Sequence, residues 1–457
     1  MNQSMAVNGT KLSQRQIWLY AFPALPHAFI ALPLHMVVPS FYAAHTTVTL
    51  AQIALITTLS RLLDAILDPL IGMLSDRTRT RLGRRKPWVL AGGLVCSVAI
   101  LFMFQPPTGS GMLYFACWSF LLYLGFSFFE IPRGAWATEL SRNYLERAHI
   151  QSSVATFNVI GSLVFWLMPL ALASFTGTFA ITGATLTGIA WLYGLLMPAG
   201  ILLSLWFVPN GDVPQDAAAT FRDFLRTVRH NRPLWIFLAL MVCWGLGQGM
   251  YLSTIFIFVQ DYLQLGDIFP VLMILYFVVQ IGALPVWLRI TRRIGKHRAW
   301  AIGMVCDVLT RPLILLFANG SETPMAAMIA IILIGAFFGA SGIAAPASIL
   351  GDVVDYDLMK TRVNKAGRFF AFQILLTKAT MALGAGAGFM LLDKVGYKVG
   401  ETANTATANG GLIAAYLVIP ALFWIAAASV AWRFPITAAR HNIIRQRMER
   451  RERLAMT

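Results

Sequence analysis

The chain has 457 residues, of which 58% are hydrophobic and only 12% charged, and its formal net charge is +16. A soluble protein carries about 25% charged residues, so this one lacks the polar surface to cover itself in water, and a water-soluble globule is excluded. Apolar stretches of roughly 20 residues recur along the whole length, as expected of helices crossing a ~30 Å hydrocarbon core. The alternating segments of roughly ten residues that mark a membrane β-barrel are absent. The expected fold class is an all-α polytopic membrane protein.

Taken in chain order, twelve spans are predicted: 17–43, 49–74, 88–105, 111–138, 151–174, 184–208, 234–261, 267–290, 299–317, 325–350, 367–392 and 410–433. The polar lead from Met1 to Arg15 runs straight into the first span, with no cleavable signal peptide apparent. Connections after even-numbered spans are basic: Arg77 to Lys86, Arg142 and Arg147, Arg222 to Arg232, Arg292 to Arg298, and Lys360 to Arg368. Those after odd-numbered spans carry no Lys or Arg, except the last, with Lys394 and Lys398. By the positive-inside rule the basic side is cytoplasmic, together with both termini. That asymmetry accounts for most of the positive charge, so nucleic acid is not an expected partner.

The longest polar connection, 209–233, divides the chain into an N-terminal six-helix unit (1–208) and a C-terminal one (234–433), followed by a basic tail (434–457). Phe221, Leu225 and Val228 have helical spacing within the connection and predict a short amphipathic helix on the inner surface. The tail reads as an interfacial, lipid-contacting helix. An internal repeat supports the division. "TRLGRRKPW" (80–88) follows span two and "RRIGKHRAW" (292–300) follows span eight, and two six-helix repeats are common among secondary transporters. Cys96, Cys117, Cys243 and Cys306 each stand alone in an apolar run, which suits packing rather than disulfides or metal.

Charges inside the spans carry the chemistry. Asp64 and Asp68 are four residues apart in span two and share a helix face. A charge at the bilayer centre costs about 2.5–3.5 kcal/mol on insertion scales. Two carboxylates therefore need compensation, which Arg61 partly offers; a structural Arg–Asp pair and a coupling-ion site both fit. In span four, Glu130 accepts hydrogen bonds from adjacent hydroxyls or forms an internal salt bridge with Arg133. Trp136 offers an aromatic face to a ring or simply packs. Lys378, in span eleven, should face a cavity or pair with Asp64, Asp68 or Glu130.

These stretches together resemble the glycoside–pentoside–hexuronide:cation symporters of the major facilitator superfamily. The likeness is carried by "RLLDAILDPLIGMLSDRTRTRLGRRKPW", "FFEIPRGAWATEL", "GDVVDYDLMKT" with Lys378 beyond it, and "WRFPITAARHNIIRQRM". It implies the two-bundle fold of that superfamily and cation-coupled sugar transport by alternating access. It places Asp64, Asp68 and Ser127 in a cation site, and Glu130 at the position of a substrate-binding aspartate of the melibiose permease. The basic loop with Asp76, Arg77, Gly83 and Arg84 would clasp the inward gate, with Gly72 shaping the turn. Asp352, Asp355 and Asp357 would be latch partners for such loops.

The chain departs from the family pattern in three places. Leu67 stands where sodium users have an asparagine between the aspartates, which tilts the coupling ion from Na⁺ toward H⁺, since a proton needs only a carboxylate. The acidic residue of span one falls near Ala28, leaving His27 as the nearby titratable group, and the arginine of span five falls at Ala155. The expected function is thus a cation-coupled symporter of a sugar or glycoside in the inner membrane, monomeric, with no cofactor beyond H⁺ or Na⁺. The alternatives are a proton-coupled carrier of a small peptide or organic acid, an exporter, or a receptor that kept the fold. No nucleophile elbow, zinc-ligand cluster or phosphate loop suggests an enzyme.

Overall fold

The computed structural model describes residues 12–141, 144–211, 231–317, 325–361, 366–401, 404–437, 439–444 and 446–448. Among them, twelve helices are long and apolar enough to cross a bilayer. The first six are Gln14–Met36, Leu50–Arg77, Lys86–Met103, Met112–Leu140, His149–Thr176 and Gly183–Phe207. The second six are Arg232–Tyr262, Gly266–Ile294, Lys296–Leu316, Met325–Thr361, Gly367–Lys394 and Ala406–Trp432. They are spans one to twelve below. The predicted helix around Phe221, Leu225 and Val228 lies outside the described residues, as does the tail beyond Met448.

Two spans differ from expectation. Span one is not one helix through 17–43 but the pieces Gln14–Ala21, Ala24–Ala31 and Pro33–Met36, followed by Val38–His45. Pro23, Pro33 and Pro39 each remove a backbone donor near a break. Span ten runs past the expected 350 to Thr361, and a 3₁₀ turn at Ala340–Gly342 interrupts it. The glycine-rich run before Pro346 breaks the helix, and the three aspartates continue inside its last turns. Elsewhere the starts follow local chemistry. Thr49 caps span two by accepting from the Gln52 amide at 3.2 Å, while Gln52 returns a bond to the Thr49 amide at 3.1 Å.

The chain forms two compact units. One is Met1–Asp216 with Gly266–Pro270, and the other is Ala217–Leu265 with Val271–Thr457. In the first, span one packs along span five, span three along span six, and span four against spans two and three. In the second, span seven packs along span eleven and span nine along spans ten and twelve. The pairings one–five and three–six thus recur as seven–eleven and nine–twelve. Glycine permits the closest approaches: a Cβ on Gly161 would lie 2.1 Å from the Leu25 carbonyl, and one on Gly384 2.1 Å from that of Leu246. Leu59, Leu63, Ile66, Leu70 and Met73 are exposed on span two, while Asp64 is buried. The span therefore has an apolar outer face and a carboxylate face.

Candidate functional site

In the first unit, spans two and four bring three oxygen-bearing side chains together. Ser127 Oγ lies 2.6 Å from Asp68 Oδ1 and 3.4 Å from Asp64 Oδ1, so both carboxylates are within reach of one hydroxyl. Asp64 and Ser127 are buried and Asp68 is half-buried. Helical spacing puts the aspartates on one face, and Pro69 beside Asp68 omits one backbone hydrogen bond from that turn. Arg61 packs its guanidinium over the Tyr123 ring at 4.6 Å and reaches the ring nitrogens of His35. Chemically, the cluster offers anionic oxygens and a hydroxyl to a small cation inside a membrane span.

Glu130 lies one turn beyond Ser127 on span four. Its Oε1 is 3.2 Å from His27 Nε2, and the carboxylate side chain is 46% exposed while His27 is buried. His27 is held edge-on to Phe126 with ring centres 4.7 Å apart. The His27–Glu130 pair therefore joins span one to span four where the family's acidic residue is missing. Arg133 is buried between the rings of Tyr20 and Phe129, at 5.3 and 5.2 Å, and its Nε and Nη2 have no hydrogen-bond partner among the described residues. Trp136 takes the packing alternative: it is 2% exposed, packs edge-on to Tyr20 and donates to the Pro209 carbonyl at 3.0 Å. A ring so enclosed offers no free face to a solute. Lys378 is half-buried on span eleven, in the second unit.

The basic loop after span two is a dense ionic node. Arg85, 6% exposed, donates from Nε and Nη2 to Glu139 at 3.0 and 2.8 Å, from Nη1 to Ser75 at 2.6 Å, and also to Asp76. Arg84 adds a 2.5 Å bond to Glu139. Gly83 has φ +102°, a backbone conformation that favours glycine. Arg77 is exposed at the end of the helix. Gly72 does not shape this turn; it lies inside span two.

The second unit repeats the device. Gly295 has φ +92°, Lys296 pairs with Asp352 at 2.7 Å, and His441 of the tail contacts Asp352 and Asp355 at 3.3 and 2.9 Å. Asp357 accepts from Asn231 and Thr361 near the C-terminal end of the same helix. The basic residue after the glycine thus meets an acid on the fourth helix of each unit. Glu139 and Arg85 are not singled out from the sequence, although both lie within quoted stretches, Glu139 in "FFEIPRGAWATEL" and Arg85 in "TRLGRRKPW". Asp307 and Arg311 of span nine are not singled out either. They are four apart in an apolar stretch, the same signal that marks Asp64 and Asp68, and they form a buried bidentate pair at 2.8 and 2.7 Å.

Twelve spans in two repeating units, carboxylates gathered inside a span and matched ionic loops define a membrane carrier rather than an enzyme. The chain belongs to the family described as MFS/sugar transport protein, whose model matches residues 19–438. It is 26% identical to the uncharacterized symporter YnaJ of Bacillus subtilis (strain 168), covering 80% of each chain. To the isoprimeverose transporter of Lactiplantibacillus pentosus it is 23% identical, covering 83% of this chain and 80% of that one. A crystal structure of the nucleoside transporter NupG shares the fold, with a TM-score of 0.64 and 12% identity over 92% of this chain and 98% of the other.

Proposed function

We propose that this carrier takes up a glycoside or related sugar by cation symport and alternating access. It would lie in the inner membrane with both termini in the cytoplasm and work as a monomer without a cofactor. The observation that carries the reading is the convergence of Asp64, Asp68 and Ser127 inside the bilayer-spanning part of the first unit. Carboxylates are expensive there and are expected to mark an ion or substrate path. The isoprimeverose transporter among the relatives supports a sugar as the solute. Glu130, held by His27, is its carboxylate contact in this reading, and Lys378 is proposed as a cationic one.

The donor set favours a proton over sodium. Leu67 supplies no oxygen between the two aspartates, and a proton needs only one carboxylate, whereas a metal cation needs several ligands. The test is uptake of p-nitrophenyl glycosides and pentosides into right-side-out vesicles. Replacing sodium by potassium should leave accumulation intact, and a protonophore should abolish it. Asp64→Asn and Asp68→Asn should each abolish accumulation while the protein still inserts. Wild-type accumulation ratios in either variant would remove the ion site.

A further inference from the structure

Span nine carries a charged pair that the ion site does not use. Asp307 and Arg311, 7% exposed and half-buried respectively, sit where the helix tightens from α (Lys296–Thr310) to 3₁₀ (Arg311–Leu316). The guanidinium is held by two bonds to Asp307, its face lies 4.0 Å from the Tyr251 ring centre, and Trp424 is 4.8 Å away. Beside the pair opens a chamber of about 460 Å³, formed entirely by residues of the second unit. That size falls within the roughly 300–1,000 Å³ of small-molecule sites. The chamber also borders the broken stretch of span ten at Ser341 and Gly342. The interrupted span ten and the 3₁₀ end of span nine therefore flank one cavity.

Charge accounting narrows what the chamber takes. Among the described residues, Asp307 and Arg311 are the only charged ones of its lining, and they cancel. The other polar groups include three amides, Gln248, Gln280 and Gln373, each able to donate and accept. Trp244, half-buried, gives it an apolar wall. Amides with a neutral donor–acceptor pair match hydroxyl groups, and the indole wall matches the C–H face of a ring. A carboxylate solute that reached the remaining N–H donors of Arg311 would instead meet the negative charge of Asp307 beside them.

We propose that the Asp307–Arg311 pair is the specificity-determining element of a solute subsite within the second unit. The subsite takes a neutral, hydroxyl-bearing ring and disfavours anionic solutes. The proposal rests on the carrier reading above and decides between its sugar and organic-acid forms. Asp307 acts as a built-in counterion: it occupies the position that an anionic solute would otherwise claim on Arg311.

The test is equilibrium binding to the full-length protein in nanodiscs, followed by tryptophan fluorescence. The probes are p-nitrophenyl glucosides, galactosides and xylosides, compared with p-nitrophenyl β-glucuronide. The wild type should bind a neutral probe at least about tenfold more tightly than the glucuronide, a difference worth about 1.4 kcal/mol. Asp307→Asn uncovers Arg311 and should reverse that preference. The double variant Asp307→Asn, Arg311→Gln removes both charges at similar volume, should fold even where the single one does not, and should lose the discrimination. A wild type that prefers the glucuronide or binds none of the probes overturns the proposal, as does an unchanged ratio in the double variant. Ion-driven accumulation of the glucuronide alone would overturn the subsite and leave the carrier reading standing. Absence of accumulation of every probe would sink the carrier reading.

Discussion

The Ser127 hydroxyl carries one proton and lies between two carboxylates, nearer to Asp68 than to Asp64. A hydrogen bond to a charged group contributes about 1.5–3 kcal/mol, so Ser127→Ala should displace the ion dependence of uptake by roughly tenfold without abolishing it. Uptake measured against pH and against sodium reads this directly, and an unchanged profile would exclude Ser127 from the site. Glu130 makes a different demand. It is exposed enough to meet solute and is oriented by His27. Glu130→Gln should weaken solute affinity by about tenfold or more, as one hydrogen bond from a charged group implies, with expression near wild type. Lys378→Met should alter affinity and ion dependence together. Normal solute binding in both variants, with lowered stability, would make the two charges structural.

At the scale of elements, the glycine–basic turn appears twice, and its two copies are unequal. Around Gly83 a buried arginine shares one carboxylate with a neighbour, whereas around Gly295 the Lys296 side chain is 32% exposed. Removing one partner of a buried pair costs about 3–5 kcal/mol, so Glu139→Gln should lower the melting temperature of the purified protein far more than Asp352→Asn. Gly83→Ala and Gly295→Ala should each lower it, because both glycines hold a positive φ that a side chain disfavours. Equal losses in Glu139→Gln and Asp352→Asn would mean that the turns carry equivalent loads. The repeat was legible in the sequence because both turns keep the same order of glycine, cations and tryptophan. The break in span one was not, since its prolines lie in an apolar run whose hydropathy stays unbroken. Trp136 shows the limit at the site: a residue type suited to sugars is equally suited to a core, and only the neighbours decide. Asp307 and Arg311 cancel each other, so they leave no charge imbalance for a sequence reading to explain.

For the whole molecule, hydropathy identified the spans because lipid requires backbone groups to be satisfied within each helix, and the twelve helices fall where the apolar runs do. The proposed orientation rests on charge asymmetry, which the helices themselves do not encode. The orientation can be tested at exposed loop positions. Thr108, between spans three and four, and Glu401, between spans eleven and twelve, are exposed on the side with few cations, and Thr80 is exposed on the basic side. In a background with Cys117 replaced by serine, cysteines at Thr108 and Glu401 should react with a membrane-impermeant maleimide applied to intact cells. A cysteine at Thr80 should react only after the membrane is opened. Labelling at Thr80 in intact cells, with protection at the other two, would invert the topology. It would then place the Arg84–Arg85–Glu139 node on the outer face, where the positive-inside rule gives no reason for so many cations.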